Sequence, residues 1–598
     1  MTIDPVLVHA PFPRVLVGHF MPGKPVVAAI TSISATNAGQ NTPQVTVPRP
    51  GTTLATVPLN QEYPASSILL STPVTPVKVD RLEFLLQDYV SNLARYLVHG
   101  FRYGFRIQFI GNRAPFESPN LKSSLQNPDL VLSKLQKEID AGRIVGPLTN
   151  APFPDFRTSP IGIVPKKTPN EVRLIQHLSY PSGFSVNDNI PDDCSTVHYA
   201  TINQAVKIVQ RLGVGCFMAK TDIKSAFRII PIHPQDYSLL GIKWADKYYF
   251  DRCLPMGCSS SCAIFETFST ALEWLSLHKL RASAVLHILD DFLFVAPSAE
   301  KCEADLANFL RLCDYLGVPI AHEKTVQPRT TLEFAGITLD SVSQEARLPP
   351  DKLQKCRTLL HQFHKRRTVT LRELQSLIGL LNFACSVVVP GRAFLRRLID
   401  LTKGIKKAYH HIRLNKDARH DIKLWLTFLD NFNGRAFFLS DRWETSATLQ
   451  LFTDAAGSKG YGAVFGSHWF YGAWPGSSRS LNISCFELFP ITLSVHVWGY
   501  LIANQRVVFF TDNAALVDVI NKQSSKHKLI MALLRPLILC CLRHNILFKA
   551  RHVPGLQNSR ADFISRFQID SFKAITPDAD PFPTPVPTNL LPESWSLI

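Results

Sequence analysis

Residues 283–297 read SAVLHILDDFLFVAP, an apolar run with two adjacent carboxylates, Asp290 and Asp291, at its centre. A continuous strand would send the two side chains to opposite faces. Two strands, AVLHIL and FLFVA, joined by Asp-Asp as a two-residue turn bring both to one hairpin tip. Carboxylates about 6 Å apart repel by roughly 3 kcal/mol at an effective dielectric near 20, which is worth about two pKa units. A divalent cation removes that repulsion, and hard oxygen donors favour magnesium or manganese. Such an ion needs a further carboxylate, and Asp222, closing the strand-like FMAKTD, is the candidate. Singly, Asp222 reads as a helix N-cap and Asp290–Asp291 as a polar turn. Together the three point to metal-dependent chemistry.

A second acidic set lies downstream. Asp454 sits in LFTDAAGSKGYGAVFG, where a strand meets a Gly-rich turn; Glu487 lies in SCFELFPI and Asp512 in VVFFTDNAALVDVI. Asp562 lies in HVPGLQNSRADFISR, ten positions after His552. Each alone fits a strand-end cap or a helix surface charge, and only the ensemble suggests a second site.

The elements that carry these residues follow from composition and periodicity. A chain of 598 residues exceeds what one core serves, so several domains are expected. The hydrophobic share of 46% and charged share of 19% are those of a globular protein. The net charge of +17 favours a polyanionic partner. Twelve cysteines lack zinc-site spacing, even around the close pairs Cys258/Cys262 and Cys540/Cys541, which excludes a disulfide scaffold and implies reduced thiols in an intracellular compartment. No signal peptide is evident, and the run LIGLLNFACSVVVPG is too short and is broken by Asn382, so a soluble protein without a membrane partner is expected. Cytoplasm and nucleus are not distinguished.

Residues 1–78, rich in Pro, Thr, Val, Ser and Ala and poor in charge, are expected to be a disordered arm, and 79–150 a helical extension. Strand and helix patterns alternate over 151–340, 341–445 is helical and basic, and 446–568 alternates again. The Pro-rich tail, 569–598, is expected to be disordered. The fold class is α+β and multidomain.

Over residues 151–340 the motifs, in order, resemble the fingers and palm of a reverse transcriptase. SPIGIVPKK and EVRLIQHLSYPSGFSVND resemble its nucleotide-holding segments, KTDIKSAFRIIPI its first catalytic block and FDRCLPMGCSSSCAIFE the block that cradles template and nucleotide. HILDDF resembles the double-aspartate hairpin, AHEKT the lysine block and LEFAGITLD the primer-gripping hairpin. The resemblance implies a right-hand polymerase with fingers, palm and thumb. Asp222, Asp290 and Asp291 would be catalytic and hold two metal ions, with the carbonyl of Ile223 as a further ligand. Lys166, Lys167 and Arg173 would meet the triphosphate, and Phe227 would lie under the sugar and exclude a 2′-hydroxyl. Met256 and Gly257 would line the template–nucleotide cradle, Lys324 would protonate departing pyrophosphate, and Gly336 would belong to the primer grip. Ile288 departs from the usual Tyr or Phe, Met256 from a polar residue, and His177 and Ser179 from Asp and Arg. These departures bear on nucleotide affinity more than on the metal carboxylates.

Residues 446–568 resemble a ribonuclease H domain, which implies an α/β fold whose Asp454, Glu487, Asp512 and Asp562 hold two further metal ions. His552 would assist from a mobile loop, and Asn513 would contact the sugar-phosphate of an RNA–DNA hybrid. The basic stretches of 341–445 would serve as thumb and connection along the duplex. The motif order, with HVPGLQNSRADFISR, resembles DIRS-type, tyrosine-recombinase retrotransposons. The partners this implies are an RNA template, a DNA primer, the RNA–DNA hybrid and deoxynucleoside triphosphates, with the element's own recombinase and capsid-like proteins. A domesticated nucleic-acid-binding protein, or a nuclease with an inactive polymerase half, are the alternatives that remain open.

Overall fold

The computed structural model describes residues 74–165, 172–432, 436–437, 442–457, 459–476, 482–553 and 558–595. They form two compact units, Met1–Thr201 with Met218–Pro328, and Ile202–Phe217 with Arg329–Ile598.

The first unit centres on a four-stranded sheet in the order Val285–Ile288, Asp291–Ala296, Phe217–Asp222, Val326–Arg329. The helix Ser261–His278 packs on the first of these strands and Ala299–Leu316 on the second. The latter starts where the Ser298 side chain accepts the Lys301 amide and ends at Gly317, whose φ of +76° provides the left-handed cap. Phe292 and Phe294 of the hairpin stack on Phe309 of that helix, with centroids 4.8 and 5.2 Å apart. A second sheet, ordered Ile144–Leu148, Lys247–Asp251, Gly241–Trp244, shares a core with the hairpin Ile161–Pro165/Val172–Gln176 through Val131, Leu135, Ile161, Trp244 and Tyr249.

The second unit opens with a meander, Thr331–Phe334, Ile337–Asp340 and Glu345–Arg347, joined by Ala436–Phe437. The helices Pro350–Lys365, Leu371–Ala384 and Lys416–Phe432 follow, the second begun by a reciprocal Thr370/Glu373 cap. Then come an antiparallel sheet, Leu451–Ala456, Gly460–Phe465, His468–Ala473, and a parallel one, Trp443–Glu444, Arg506–Thr511, Leu547–His552. The helix Ile483–Trp498 packs on the antiparallel sheet. With its extension to Ile502 it is the one described helix long and apolar enough to cross a membrane, yet 78% of that stretch is buried in the protein. Residues 484–495 are all buried, so this stretch packs as a core helix, and its polar Glu487 is enclosed with it.

Several expected boundaries shift. Residues 74–78 of the expected arm belong to the first unit: the Thr75 hydroxyl donates to the Ile229 carbonyl, the Lys78 amide donates to Leu316, and Val77 is buried. The expected helical extension, 79–150, ends in the strand Ile144–Leu148, which pairs with Lys247–Asp251. The helix Ile202–Leu212 groups with the second unit rather than with 151–340. Most clearly, the first part of the Pro-rich tail, 569–580, is folded. Ile569–Ile575 is helical, Phe572 is fully buried among Val464, Trp469 and Ile564, and Asp580 accepts from the Trp469 indole at 2.8 Å. Composition counted its prolines and overlooked Phe572, whose burial outweighs them.

Truncation after residue 568 is expected to lower the urea midpoint of the second unit, and Phe572→Ala to cost about 3–5 kcal/mol. A midpoint equal to that of the full chain would show that the tail adds nothing.

Candidate active sites

Asp222 closes the strand Phe217–Asp222, and the neighbouring strand Asp291–Ala296 begins at Asp291. Ile288 pairs with Asp291, so the two turn residues are Leu289 and Asp290, not Asp290 and Asp291. Leu289 takes the positive φ, +53°, that a tight hairpin requires. Asp290 therefore stands on the turn and Asp291 on the strand. The Ile223 amide donates to the Asp290 carbonyl at 2.9 Å, tying the hairpin tip to the end of the Asp222 strand.

The cluster is electrostatically uncomfortable. Burial, then the charge of Asp222, pushes the Asp290 carboxyl up to about 6, against relief from a backbone hydrogen bond and Lys324. The Lys324 ammonium lies 2.8 Å from Asp222 Oδ1. Burial disfavours its charge, but Asp222 and Asp290 outweigh this and its pKa rises. A cation thus already rests on the carboxylates. Lys324, expected near pyrophosphate, is here the partner of Asp222.

Phe227 sits half-buried on the turn Ala226–Ile229 after Asp222, edge-on to Phe265 at 5.6 Å. That turn is anchored by Arg228, which donates to Glu138 at 2.9 Å and to Asp251 at 2.7 Å. Met256 is 46% exposed. Gly257 has φ +106° and its carbonyl accepts from Asn187; a Cβ there would stand 3.2 Å from the Gln176 carbonyl. Arg173 is exposed on the strand Val172–Gln176. Lys166 and Lys167 lie outside the described residues. Gly336, in the second unit, follows Ala335 in a two-residue turn where both have positive φ, and its carbonyl accepts from Lys352.

The second acidic set also converges. Asp454 lies on Leu451–Ala456 opposite Gly462, where a Cβ would come within 2.5 Å of Ile564. A glycine there lets the helix Ser559–Ser565, with Asp562, lie close. Ser565 donates to Asp454 at 2.6 Å, and Arg566 pairs with Asp562 at 2.7 Å. Burial, then Asp562 and Asp512, pushes Asp454 up to about 6 against the Ser565 hydrogen bond. Glu487 is buried on the helix Ile483–Trp498, and burial followed by Asp454 and Asp512 raises it to about 9. His552 is the last residue of its strand rather than part of a loop, with Nε2 3.1 Å from the Asp512 carbonyl. Asn513 caps a helix by accepting from the Leu516 amide and donates to Ser484, so both ends of its amide are engaged within the protein.

In both acidic sets the compensation from Lys324, Ser565 and Arg566 is incomplete, because burial and like charge still raise Asp290, Asp454 and Glu487, and a hard dication would relieve that. Among the described residues no group of three or more His, Cys, Asp or Glu side chains is placed so that it could hold a metal ion. An open oxygen set is what a magnesium ion shared with phosphate uses. Sequence reasoning missed the Ser565 contact, which lies three residues after Asp562 on one helix face, and the ion pairs of His287 beneath the hairpin.

Residues 166–339 match the family model of reverse transcriptase (RNA-dependent DNA polymerase), so the chain contains a reverse transcriptase domain. Among curated relatives, the chain is 25% identical over 213 residues to the enzymatic polyprotein of Cestrum yellow leaf curling virus, covering 34% of this chain and 31% of the relative. It is 25% identical over 173 residues to Protein P of Duck hepatitis B virus (strain China), covering 29% and 22%. It is 22% identical over 294 residues to the Gag-Pro-Pol polyprotein of Simian retrovirus SRV-1, covering 48% and 15%. The chain thus spans less than a third of the length of each of these relatives. Among solved structures, the foamy viral protease-reverse transcriptase in complex with RNA/DNA hybrid aligns with a TM-score of 0.44 at 14% identity, covering 82% of this chain and 64% of that one.

The Arg228 anchor makes a pH prediction. Hydrogen bonds and charge from Arg143 and Arg228 overcome burial and hold Glu138 at about 2, below its ordinary 4.5. A depressed carboxylate stabilises the fold above pH 4.5 and loses that contribution as pH falls through about 2. The thermal-midpoint advantage of the native chain over Glu138→Gln is therefore expected to be level from neutral pH to about 5 and to shrink below it. An advantage that grows on acidification would contradict the anchor.

Proposed function

We propose that this chain is a retroelement reverse transcriptase, a DNA polymerase templated by RNA and by DNA, coupled to a ribonuclease H that removes RNA from RNA–DNA hybrids. The observation that carries the reading is that two separate carboxylate clusters, Asp222/Asp290/Asp291 and Asp454/Glu487/Asp512/Asp562, lie near strand ends, and that burial with a neighbouring carboxylate raises Asp290 in the first and Asp454 and Glu487 in the second. The reverse transcriptase match over 166–339 supports the first half.

In this reading the first unit supplies fingers and palm of a right-hand polymerase, and the second supplies thumb, connection and ribonuclease H fold. Each cluster would hold two magnesium or manganese ions, with the Ile223 carbonyl as a further ligand in the first. Bound there, the metal pair neutralises charge on the attacking and leaving oxygens of phosphoryl transfer. The chain's own groups do the rest. Arg173, with Lys166 and Lys167, binds the triphosphate, and the Phe227 ring closes the space a 2′-hydroxyl would need. Met256 and Gly257 line the nucleotide's path, and Lys324, which here pairs with Asp222, would give its proton to the departing pyrophosphate. The Gly336 hairpin grips the primer. His552, against the backbone beside Asp512, assists product release.

The partners are an RNA template, a DNA primer, the hybrid and deoxynucleoside triphosphates. The element is of the DIRS type, whose recombinase and capsid-like proteins are further partners. All twelve cysteines are free, most of them buried, which supports a reducing, intracellular setting.

The test offers the purified chain a primed RNA template, deoxynucleotides and magnesium, alongside a labelled RNA–DNA hybrid. Asp290→Asn is expected to lower extension on the order of 10³-fold while leaving hybrid cleavage intact, and Asp512→Asn to do the reverse. Cleavage without extension by the native chain would mean a nuclease on a polymerase scaffold. Binding with neither activity would mean a domesticated nucleic-acid-binding protein.

A further inference from the structure

Beneath the Asp290 turn lies a charged arrangement that the reaction as derived above does not use. His287, 5% exposed on the strand Val285–Ile288, stacks on Phe292 of the paired strand with ring centroids 5.2 Å apart and planes 20° from parallel. The helix Ser261–His278 presents Glu266 and Glu273, seven residues and two turns apart and so on one face. The His287 ring lies between them. Its Nδ1 meets Glu273 Oε2 in a short contact, and its Nε2 is 3.3 Å from Glu266 Oε1, at ion-pair distance though off the hydrogen-bond axis. Glu266 has a second engagement, because its Oε2 accepts the Leu289 amide at 3.3 Å. Leu289 is the positive-φ residue of the turn, and Asp290 follows it.

A neutral imidazole offers one donor and one acceptor, and an acceptor nitrogen would face a carboxylate with like polarity. A carboxylate at each ring nitrogen therefore selects the imidazolium. The environment agrees: burial opposes the charge, but Glu266 and Glu273 overcome it and raise His287 to about 9. Tyr199 and Cys262 adjoin Glu266, and Tyr89 adjoins Glu273; burial raises each of them and so favours their neutral forms.

We propose that His287 is a positioning residue of the polymerase site. As an imidazolium it holds the Glu266 carboxylate in the orientation that binds the Leu289 amide, and so sets the turn that presents Asp290. The inference rests on the polymerase reading for its consequence and on the hairpin geometry for its substance. His287 touches no reacting atom. It acts through Glu266, the Leu289 amide and the backbone of the turn. Without the cation, the half-buried Glu266 and Glu273 carboxylates repel each other and Glu266 is driven from the turn.

The experiment uses the full chain and three variants, His287→Gln, Glu266→Gln and the double variant, with His287→Lys as the charge-restoring control. Two readouts are taken: hydrogen exchange of the peptide spanning residues 285–296, and single-nucleotide extension resolved into kcat, KM for the deoxynucleotide and Kd for primer–template. His287→Gln is expected to speed exchange of that peptide at least tenfold while peptides of the second unit stay unchanged. It is expected to lower kcat about tenfold with primer–template Kd unmoved. The double variant is expected to be no worse than either single one, because the two act as one device, and His287→Lys to recover part of kcat. Unchanged exchange, a kcat per folded molecule equal to that of the native chain, or additive losses in the double variant would overturn the proposal. Should the native chain not extend a primer, the polymerase reading fails, and the exchange measurement alone still decides whether His287 holds the turn.

Discussion

Like charges gathered where water is scarce are the constraint around which both sites are built. Asp290, Asp454 and Glu487 are all pushed toward their neutral forms for the same two reasons, burial and a neighbouring carboxylate. A fold gains nothing by such gathering unless a cation enters, so the arrangement has to be imposed by the packing of everything around it. In the first unit the strand end at Asp222 and the turn at Asp290 are tied through the Ile223 amide. In the second, Gly462 lets the last helix close on Asp454.

The imposition is carried largely by buried ion pairs set behind the sites. Arg228 spans Glu138 and Asp251 under the Phe227 turn, and His287 spans Glu266 and Glu273 under the Asp290 turn. In the second unit Asp421, fully buried, receives Arg535 at 2.5 Å and Arg397 at 3.4 Å, joining the helix Lys416–Phe432 to Lys528–Arg543. Pairs of this kind add little net stability over apolar packing, but breaking one strands a charge. What they contribute is direction. A carboxylate held by a specific cation cannot drift the way an apolar side chain can.

The same physics explains which details escaped sequence reasoning. The Asp290–Asp291 pair marked the hairpin correctly, yet the turn is Leu289–Asp290, because the ladder pairs Ile288 with Asp291, and a strand buried on both faces leaves no alternation in the sequence from which to read that register. The tail looked disordered because its prolines dominate composition, while Phe572 and the Asp580 contacts that fold it are few and depend on a partner surface far away in sequence. Asn513 looked free to meet a ligand, and its helix-capping role depends on a helix start that periodicity locates only to within a few residues.

From the sequence alone came the alternation of strand and helix, the positions of the acidic residues relative to strand ends, and a resemblance over 151–340 that agrees with the reverse transcriptase match at 166–339. Those are local properties, set by side-chain period and by neighbours a few residues away. Only the tertiary structure decided that Asp454 feels the charge of Asp562 and Asp512, that Glu487 feels that of Asp454 and Asp512, that Lys324 rests on Asp222, and that His287 finds Glu266 and Glu273. Such pairings join residues up to a hundred or more positions apart, and chain periodicity carries no information about which distant charges the packing of a core will force together.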